Sequence, residues 1–266
     1  MLTLLWGQSD EDPVAAVASA LADMGAAYVI EDQPTVDLDS VSSCYVRPYG
    51  SRRARVSDDA LLGWLDVTPA LVVNRPAAML LNGSKPAQLA RIARYGFAVP
   101  PTLVTTSPEE VERFWRDHRE VIYKSVSGVR SRVARLTAAH RERLADVTHC
   151  PTQFQAYIAG VDVRVHVVGD QAFASEVRSA ADDYRYASDG VAPPRITATI
   201  LPASCRDRCV AMARDMGLLV AGIDLRRTKD GTWYCFEVNP SPAFTYYQGH
   251  TGQPMAMAIA RLLAGR

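Results

Sequence analysis

Asp224, Glu237 and Asn239 have the types and spacing of a hard-cation site. Two strand-like runs, 221–227 and 233–239, are separated by Asp230-Gly231, a strong hairpin signal. A two-residue turn there pairs Thr228 with Trp233 and, followed outward, sets Asp224 opposite Glu237, with Asn239 two residues further along that face. Facing carboxylates repel each other. A divalent cation removes the conflict, and three oxygen donors suit Mg²⁺, which usually keeps several waters and shares substrate phosphates. The hairpin therefore points to nucleotide chemistry; the alternative is a solvated edge with surface acids.

Cationic and small residues elsewhere fit a phosphate ligand. Lys124 ends an apolar strand, where a cation needs an anionic or carbonyl partner. The loop after it, 125–131, is rich in Ser and Gly, including Ser127 and Gly128, and its backbone N–H groups can approach phosphate closely. Arg130 and Arg132 add charge, but no Walker pattern is present. Lys85 opens a helix, which is unfavourable to the helix dipole without a nearby anion. Asp162 and Arg164 share one face of a strand with His166. They read either as ribose and phosphate or carboxylate ligands, or as an internal ion pair. Arg178 and Arg185 flank Asp182-Asp183, either a substrate-reading segment or a solvated loop.

The elements that position these groups follow from periodicity. A short strand at 2–6, a helix at 13–24 stopped by Gly25, and strands at 28–30 and 44–46 form a small α/β unit. It ends in a basic turn, 47–53, and 69–76 reads as a crossing between lobes. Helices are expected from Ser84 to Tyr95 and after the Ser107 cap, then a strand at 121–124. From Gln153 the chain is strand-rich: Val161, Val163, Val165 and Val167 alternate with polar residues, and Gly169-Asp170 turns the chain back. Helices at 204–216 and 254–263 complete the pattern. Helices mixed with antiparallel hairpins imply α/β lobes, of α+β character, rather than one parallel sheet.

Bulk properties narrow the partners. The 266 residues are 48% hydrophobic and 22% charged, an ordinary globular composition. Lys+Arg and Asp+Glu both number 29, so no global field draws the chain to nucleic acid or anionic lipid. Five scattered cysteines complete no zinc set and read as reduced thiols. The amino end lacks a signal-peptide pattern and no apolar run reaches a membrane span, so a soluble, cytoplasmic protein is expected.

Taken in order, these segments resemble the ATP-grasp carboxylate–amine ligases of the RimK-like group. The resemblance is carried by Ser84-Lys85-Pro86, the run 121–128, 154–158, Asp162-Val163-Arg164-Val165, Gly222-Ile223-Asp224-Leu225 and Phe236-Glu237-Val238-Asn239-Pro240. From Gln153 onward the chain is also similar to ligases that crosslink side chains of graspetide precursor peptides. The resemblance implies an ATP-grasp fold: a pre-ATP-grasp domain over 1–75, an N-terminal lobe over 76–152 and a C-terminal lobe over 153–266, with ATP between the lobes. It implies Lys85 and Lys124 on the phosphates, Ser127 and Gly128 in a lid, and adenine on the backbone of Gln155, Ala156, Tyr157 and Ile158. Asp162 takes the ribose, while Asp224, Glu237 and Asn239 take Mg²⁺ or Mn²⁺. Arg164, Arg178 and Arg185 hold the substrate carboxylate or acyl phosphate. The implied activity is ADP-forming amide synthesis; the alternatives are side-chain esters or amides on a peptide, or ATP binding without turnover. Because the chain is shorter than typical graspetide ligases, a small-molecule or short-peptide acceptor is expected. The assembly is left between monomer and homodimer.

Overall fold

The computed structural model describes residues 1–31, 36–47, 56–126, 133–179 and 192–265. The first unit contains β1 (Leu2–Trp6), α1 (Asp12–Asp23), β2 (Tyr28–Glu31), β3 (Val41–Val46), α2 (Val56–Val67) and β4 (Leu71–Val73). Its four strands are all parallel, in the order β2-β1-β3-β4. The stretch 69–76 is thus not only a crossing, because β4 fills its centre and completes this sheet.

Next come α3 (Pro76–Met79), α4 (Lys85–Ala93), β5 (Thr102–Thr105), α5 (Pro108–His118), β6 (Val121–Ser125), β7 (Ala134–Arg135), a 3₁₀ run (Ala138–His149) and β8 (Thr152–Ala156). These strands form an antiparallel sheet, β5-β8-β6-β7. The Ser107 hydroxyl caps α5 as its sequence suggests, accepting the Glu110 N–H at 3.2 Å.

The last unit holds β9 (Val161–Val168), β10 (Gln171–Arg178), β11 (Arg195–Thr199), α6 (Ala203–Asp215), β12 (Val220–Arg227), β13 (Trp233–Asn239), α7 (Phe244–Thr251) and α8 (Met255–Leu263). Its sheet runs β11-β10-β9-β12-β13, all antiparallel. Period-2 alternation divides its faces. Val163, Val165, Val167, Ala221, Ile223 and Leu225 are buried under α4 and α6. On the other face, Val168 and Val220 join a core with α1, α7 and α8. The remainder of that face carries Asp162, Arg164, Asp224, Arg226 and Glu237, which line a cleft against β6 and β8.

β8 pairs with both β5 and β6, so a division at 152/153 cuts a strand; the chain leaves the second sheet only after Ala156. The helix α4 buries Leu89 and Ile92 against the third sheet and α6, because its apolar stripe matches that core.

The hairpin register was reached by two compensating differences. Thr228, not Lys229, closes the turn: its N–H donates to the Thr232 carbonyl at 3.0 Å, around a three-residue loop whose Gly231 has φ +85°. Arg227 therefore faces Trp233, one residue out of the expected step. A β-bulge at Phe236 restores the phase, so Asp224 does face Glu237 and Gly222 faces Asn239. The bulge also places Phe236 and Glu237 side by side on the cleft wall.

Candidate active site

Three ion pairs cross the cleft face of the third sheet. β9 and β12 set Arg164 against Asp224 and Asp162 against Arg226. Arg164 Nη1 donates to Asp224 Oδ1 at 2.6 Å, and Arg226 Nε to Asp162 Oδ1 at 2.7 Å. Lys85 reaches over from the start of α4 to place Nζ 3.3 Å from Glu237 Oε2. Asp162 and Arg164 are thus partners of the neighbouring strand, not of each other. The predicted repulsion between Asp224 and Glu237 is relieved here by Arg164 and Lys85. Among the described residues these pairs engage Asp224 Oδ1 and Glu237 Oε2, which leaves the second oxygen of each carboxylate for a ligand.

Lys85, Lys124 and Arg164 are only 6%, 8% and 7% exposed, so their charges are concentrated on the cleft rather than dissipated in solvent. With Arg226, they bring four cationic groups to the cleft beside the carboxylates of Asp162, Asp224 and Glu237. Ile122, Lys124 and Gln155 from the second sheet close the cleft against Asp162, Asp224, Phe236 and Glu237 from the third. Gln155 donates from Nε2 to Thr102 Oγ1 at 2.9 Å, while its buried Oε1 has no hydrogen-bond partner among the described residues.

The expected metal-ligand set is Asp224, Glu237 and Asn239, the last with an Oδ1 that accepts the Ser241 N–H at 2.8 Å. No group of three His, Cys, Asp or Glu able to hold a metal occurs among the described residues. Two carboxylates and one amide oxygen nevertheless fit Mg²⁺, which takes few protein ligands and completes its shell with water and phosphate. A second cavity meets the first at Arg164, Asp224 and Glu237, and is lined further by Asn239, Ala243, Tyr246 and Tyr247. The acids therefore stand at the junction of two cavities.

Gly222 makes the junction possible. A Cβ there would lie 2.0 Å from Arg164 Nη2 and 2.8 Å from Pro242 Cβ, so only glycine lets the guanidinium lie across the strand. The segment 241–247, which sequence periodicity did not resolve, begins α7 at Phe244 and brings both tyrosines to this cavity.

Other expected residues fall elsewhere. Arg178 is not in the cleft: β10 pairs Ser175 with Arg164, so Arg178 lies on the opposite face, largely exposed and 2.7 Å from Glu176. Ser127, Gly128, Arg130, Arg132 and Arg185 lie outside the described residues. Gln155 and Ala156 lie within a central strand whose backbone groups belong to the ladder; it is the Gln155 side chain that reaches the cleft. Tyr157 N–H is committed to the Glu120 carbonyl, and the Ile158 carbonyl accepts Arg226 Nη1 at 2.7 Å. His166 is buried against Tyr247, with ring centroids 4.9 Å apart. Burial, then the Arg164 charge, hold its imidazole well below its ordinary pKa, so it stays neutral.

A RimK-like ATP-grasp domain matches residues 84–263, from the residue before Lys85 to the end of α8. The chain belongs to the RimK-like ATP-grasp family. Among curated relatives of this RimK-like chain, β-citrylglutamate synthase B of Danio rerio is 25% identical over 216 residues, 77% of this chain and 53% of that protein. A probable α-L-glutamate ligase of Legionella pneumophila is 25% identical over 193 residues, 69% of this chain and 63% of its own length. The chain thus spans between half and two thirds of these relatives. Among solved structures, the ATP-grasp ligase PsnB, complexed with a phosphomimetic variant of its minimal precursor, Mg and ADP, superposes with a TM-score of 0.83 at 26% identity. That match covers 99% of this chain and 97% of PsnB. The macrocyclase MdnC of Microcystis aeruginosa MRC, bound with its precursor peptide MdnA, has a TM-score of 0.83 at 19% identity, covering 100% and 99%, and supports the fold alone. The ATP-grasp fold is thus established, as mixed α/β lobes around a cleft. The match spans nearly all of both chains, so this chain is about as long as the solved PsnB chain.

Within this RimK-like site, the sequence pointed to neither Arg226 nor Gln88, and gave Gly222 a place in a motif but no role. Register could have revealed Arg226, which falls opposite Asp162 once β9 and β12 are paired. Gln88 has no such signal, because its partner is backbone. Among the described residues, no helix is long and apolar enough to cross a membrane.

Proposed function

We propose that the chain is an ATP-dependent ligase that activates a carboxylate as an acyl phosphate and joins it to an amine, releasing ADP and phosphate. The observation that carries this reading is the position of Asp224 and Glu237 where the two cavities meet. A triphosphate in the first cavity and a carboxylate in the second would come together there.

Asp224, Glu237 and Asn239 would hold Mg²⁺. When bound, that ion neutralises phosphate charge and aligns the γ-phosphoryl group. Lys124 and Lys85 face the phosphates as fixed cations, buried where their fields are poorly screened. Lys85, paired with Glu237 at 3.3 Å, would exchange that carboxylate for a phosphate partner with the nucleotide bound. Arg164, held over Gly222, presents its fork to the substrate carboxylate and then to the acyl phosphate, favouring in-line transfer. Gln155 Oε1 accepts the adenine amino group, and Asp162 the ribose hydroxyls. The amine then displaces phosphate from the acyl carbon and loses its proton. No enzyme nucleophile is needed, because positioning and charge do the work.

Purified protein with ATP, Mg²⁺ and a panel of amino acids and dipeptides is expected to release ADP and phosphate only when a substrate pair is present. AMP and pyrophosphate would overturn the acyl-phosphate route. Glu237→Gln should abolish turnover and Mg²⁺-dependent ATP affinity; a module that only binds ATP has no turnover to lose. Mn²⁺ is expected to replace Mg²⁺, and the cytoplasm to be the compartment. Gel filtration would separate a homodimer from a monomer.

A second reading, in which the carboxylate and its acceptor belong to one precursor peptide, is favoured by the end-to-end match to PsnB. PsnB is a ligase complexed with its minimal precursor. A peptide encoded beside this chain should then lose one water per crosslink in mass spectrometry. Intact peptide alongside active small-molecule ligation would sink this version.

A further inference from the structure

Arg226 occupies the nucleotide cleft, yet phosphate chemistry does not require it there. Its fork is divided between two groups. Nε donates to Asp162 Oδ1 and Nη1 to the Ile158 carbonyl, both at 2.7 Å. Its guanidinium carbon stands 5.6 Å from the Tyr157 ring centroid and 5.2 Å from that of Phe236. The side chain is 15% exposed, so these bonds face little competition from water. The approach is built into the backbone: a Cβ at Gly160 would lie 2.8 Å from Arg226 Cγ and 2.5 Å from the Arg227 carbonyl oxygen.

We propose that Arg226 is a nucleoside-positioning residue, which locks Asp162 and the Ile158 carbonyl into one rigid frame so that the cleft selects a ribonucleotide by its sugar hydroxyls. This rests on the reading of the cleft as the ATP site. Ile158 lies just after β8 and Asp162 at the start of β9, so the guanidinium ties together both ends of the segment joining the two sheets. A planar fork fixes the relative position of its two acceptors, which a single ammonium does not. A carboxylate has about four acceptor sites, so the bond from Arg226 and bonds from ribose hydroxyls are compatible. Without the guanidinium, Asp162 loses this bond and the β9 entry its tether. The ribose-reading geometry loosens while the phosphate groups, Lys85 and Lys124, stay in place.

The test compares binding of Mg²⁺–ATP and Mg²⁺–2′-deoxyATP by titration calorimetry to the wild type, Arg226→Leu, Arg226→Lys and Asp162→Asn, with steady-state kinetics where substrates are known. The wild type should prefer the ribonucleotide. Arg226→Leu should weaken ATP binding about tenfold, a loss of the order of one charge-assisted hydrogen bond. Its ribose preference should collapse to that of Asp162→Asn, with KM for ATP raised more than kcat is lowered. Arg226→Lys should keep the charge but not restore the preference. A purely structural role would lower stability and leave the ribose preference unchanged; that result overturns the inference, as does tighter ATP binding, the mark of a blocking latch. If Arg226→Leu does not fold, Arg226→Lys decides, since full wild-type preference in that variant is equally fatal. A wild type that binds neither nucleotide overturns the reading of the cleft itself, and this inference with it.

Discussion

Gln88 bonds both backbone groups of Val238, the residue between Glu237 and Asn239. Nε2 donates to the carbonyl at 2.8 Å and Oε1 accepts the N–H at 3.0 Å. β13 is the edge of its sheet, so the amide stands where a neighbouring strand would be. Ala98 closes the same edge below the bulge, donating to the Trp233 carbonyl and accepting the Cys235 N–H. Two points on either side of Phe236 are thereby pinned, and with them the direction of Glu237. Gln88→Leu leaves a buried N–H and carbonyl unpaired and should cost roughly 2–4 kcal/mol. Urea denaturation reads the loss; a stability change below about 0.5 kcal/mol would refute the edge-clamp account.

Gly222→Ala tests the junction. Its methyl group would occupy the space of the Arg164 guanidinium, 2.0 Å from Nη2. The fork must then leave Asp224. Turnover should fall about a hundredfold or more, the scale of losing a positioned charge. KM for ATP should change little, because Lys85 and Lys124 are untouched. Kinetics of ADP release supply the measurement, and wild-type turnover would show that Arg164 need not lie across this strand.

His166 is held neutral in the fold, while an unfolded imidazole takes up a proton as pH falls through about 6.5. Below that value the unfolded chain binds more protons than the folded one, so stability present above pH 6.5 is lost as pH falls towards the depressed folded pKa. His166→Phe keeps a ring against Tyr247 and removes two buried nitrogens that have no hydrogen-bond partner among the described residues. Urea midpoints at pH 5 and 7 should differ less in this variant than in the wild type. An equal acid-side loss in both proteins would assign it to other groups.

Arg178→Ala separates the faces of β10. The side chain is 68% exposed and paired with Glu176, on the side away from Arg164. Its removal should leave stability within about 0.5 kcal/mol and turnover within about twofold. A large drop in turnover would return Arg178 to the substrate site.

Local signals were strong enough to specify the β9–β10 hairpin, the Ser107 cap and the alternation that buries Val163, Val165 and Val167, because each depends on neighbours in the chain. The facing of Asp224 and Glu237 was legible too, although through a turn and a bulge that composition does not distinguish from a plain two-residue loop. Family resemblance, in turn, named the RimK-like family that the domain match over 84–263 bears out. Tertiary packing decided the rest. Which cation neutralises which acid depends on strand neighbours distant in the chain: Arg164 with Asp224 is a separation of 60 residues, and Lys85 with Glu237 one of 152. The clamp from Gln88, the fork of Arg226 and the exclusion of Arg178 follow from sheet order and face parity. Those are properties of how strands assemble, and no periodicity within a single strand encodes them.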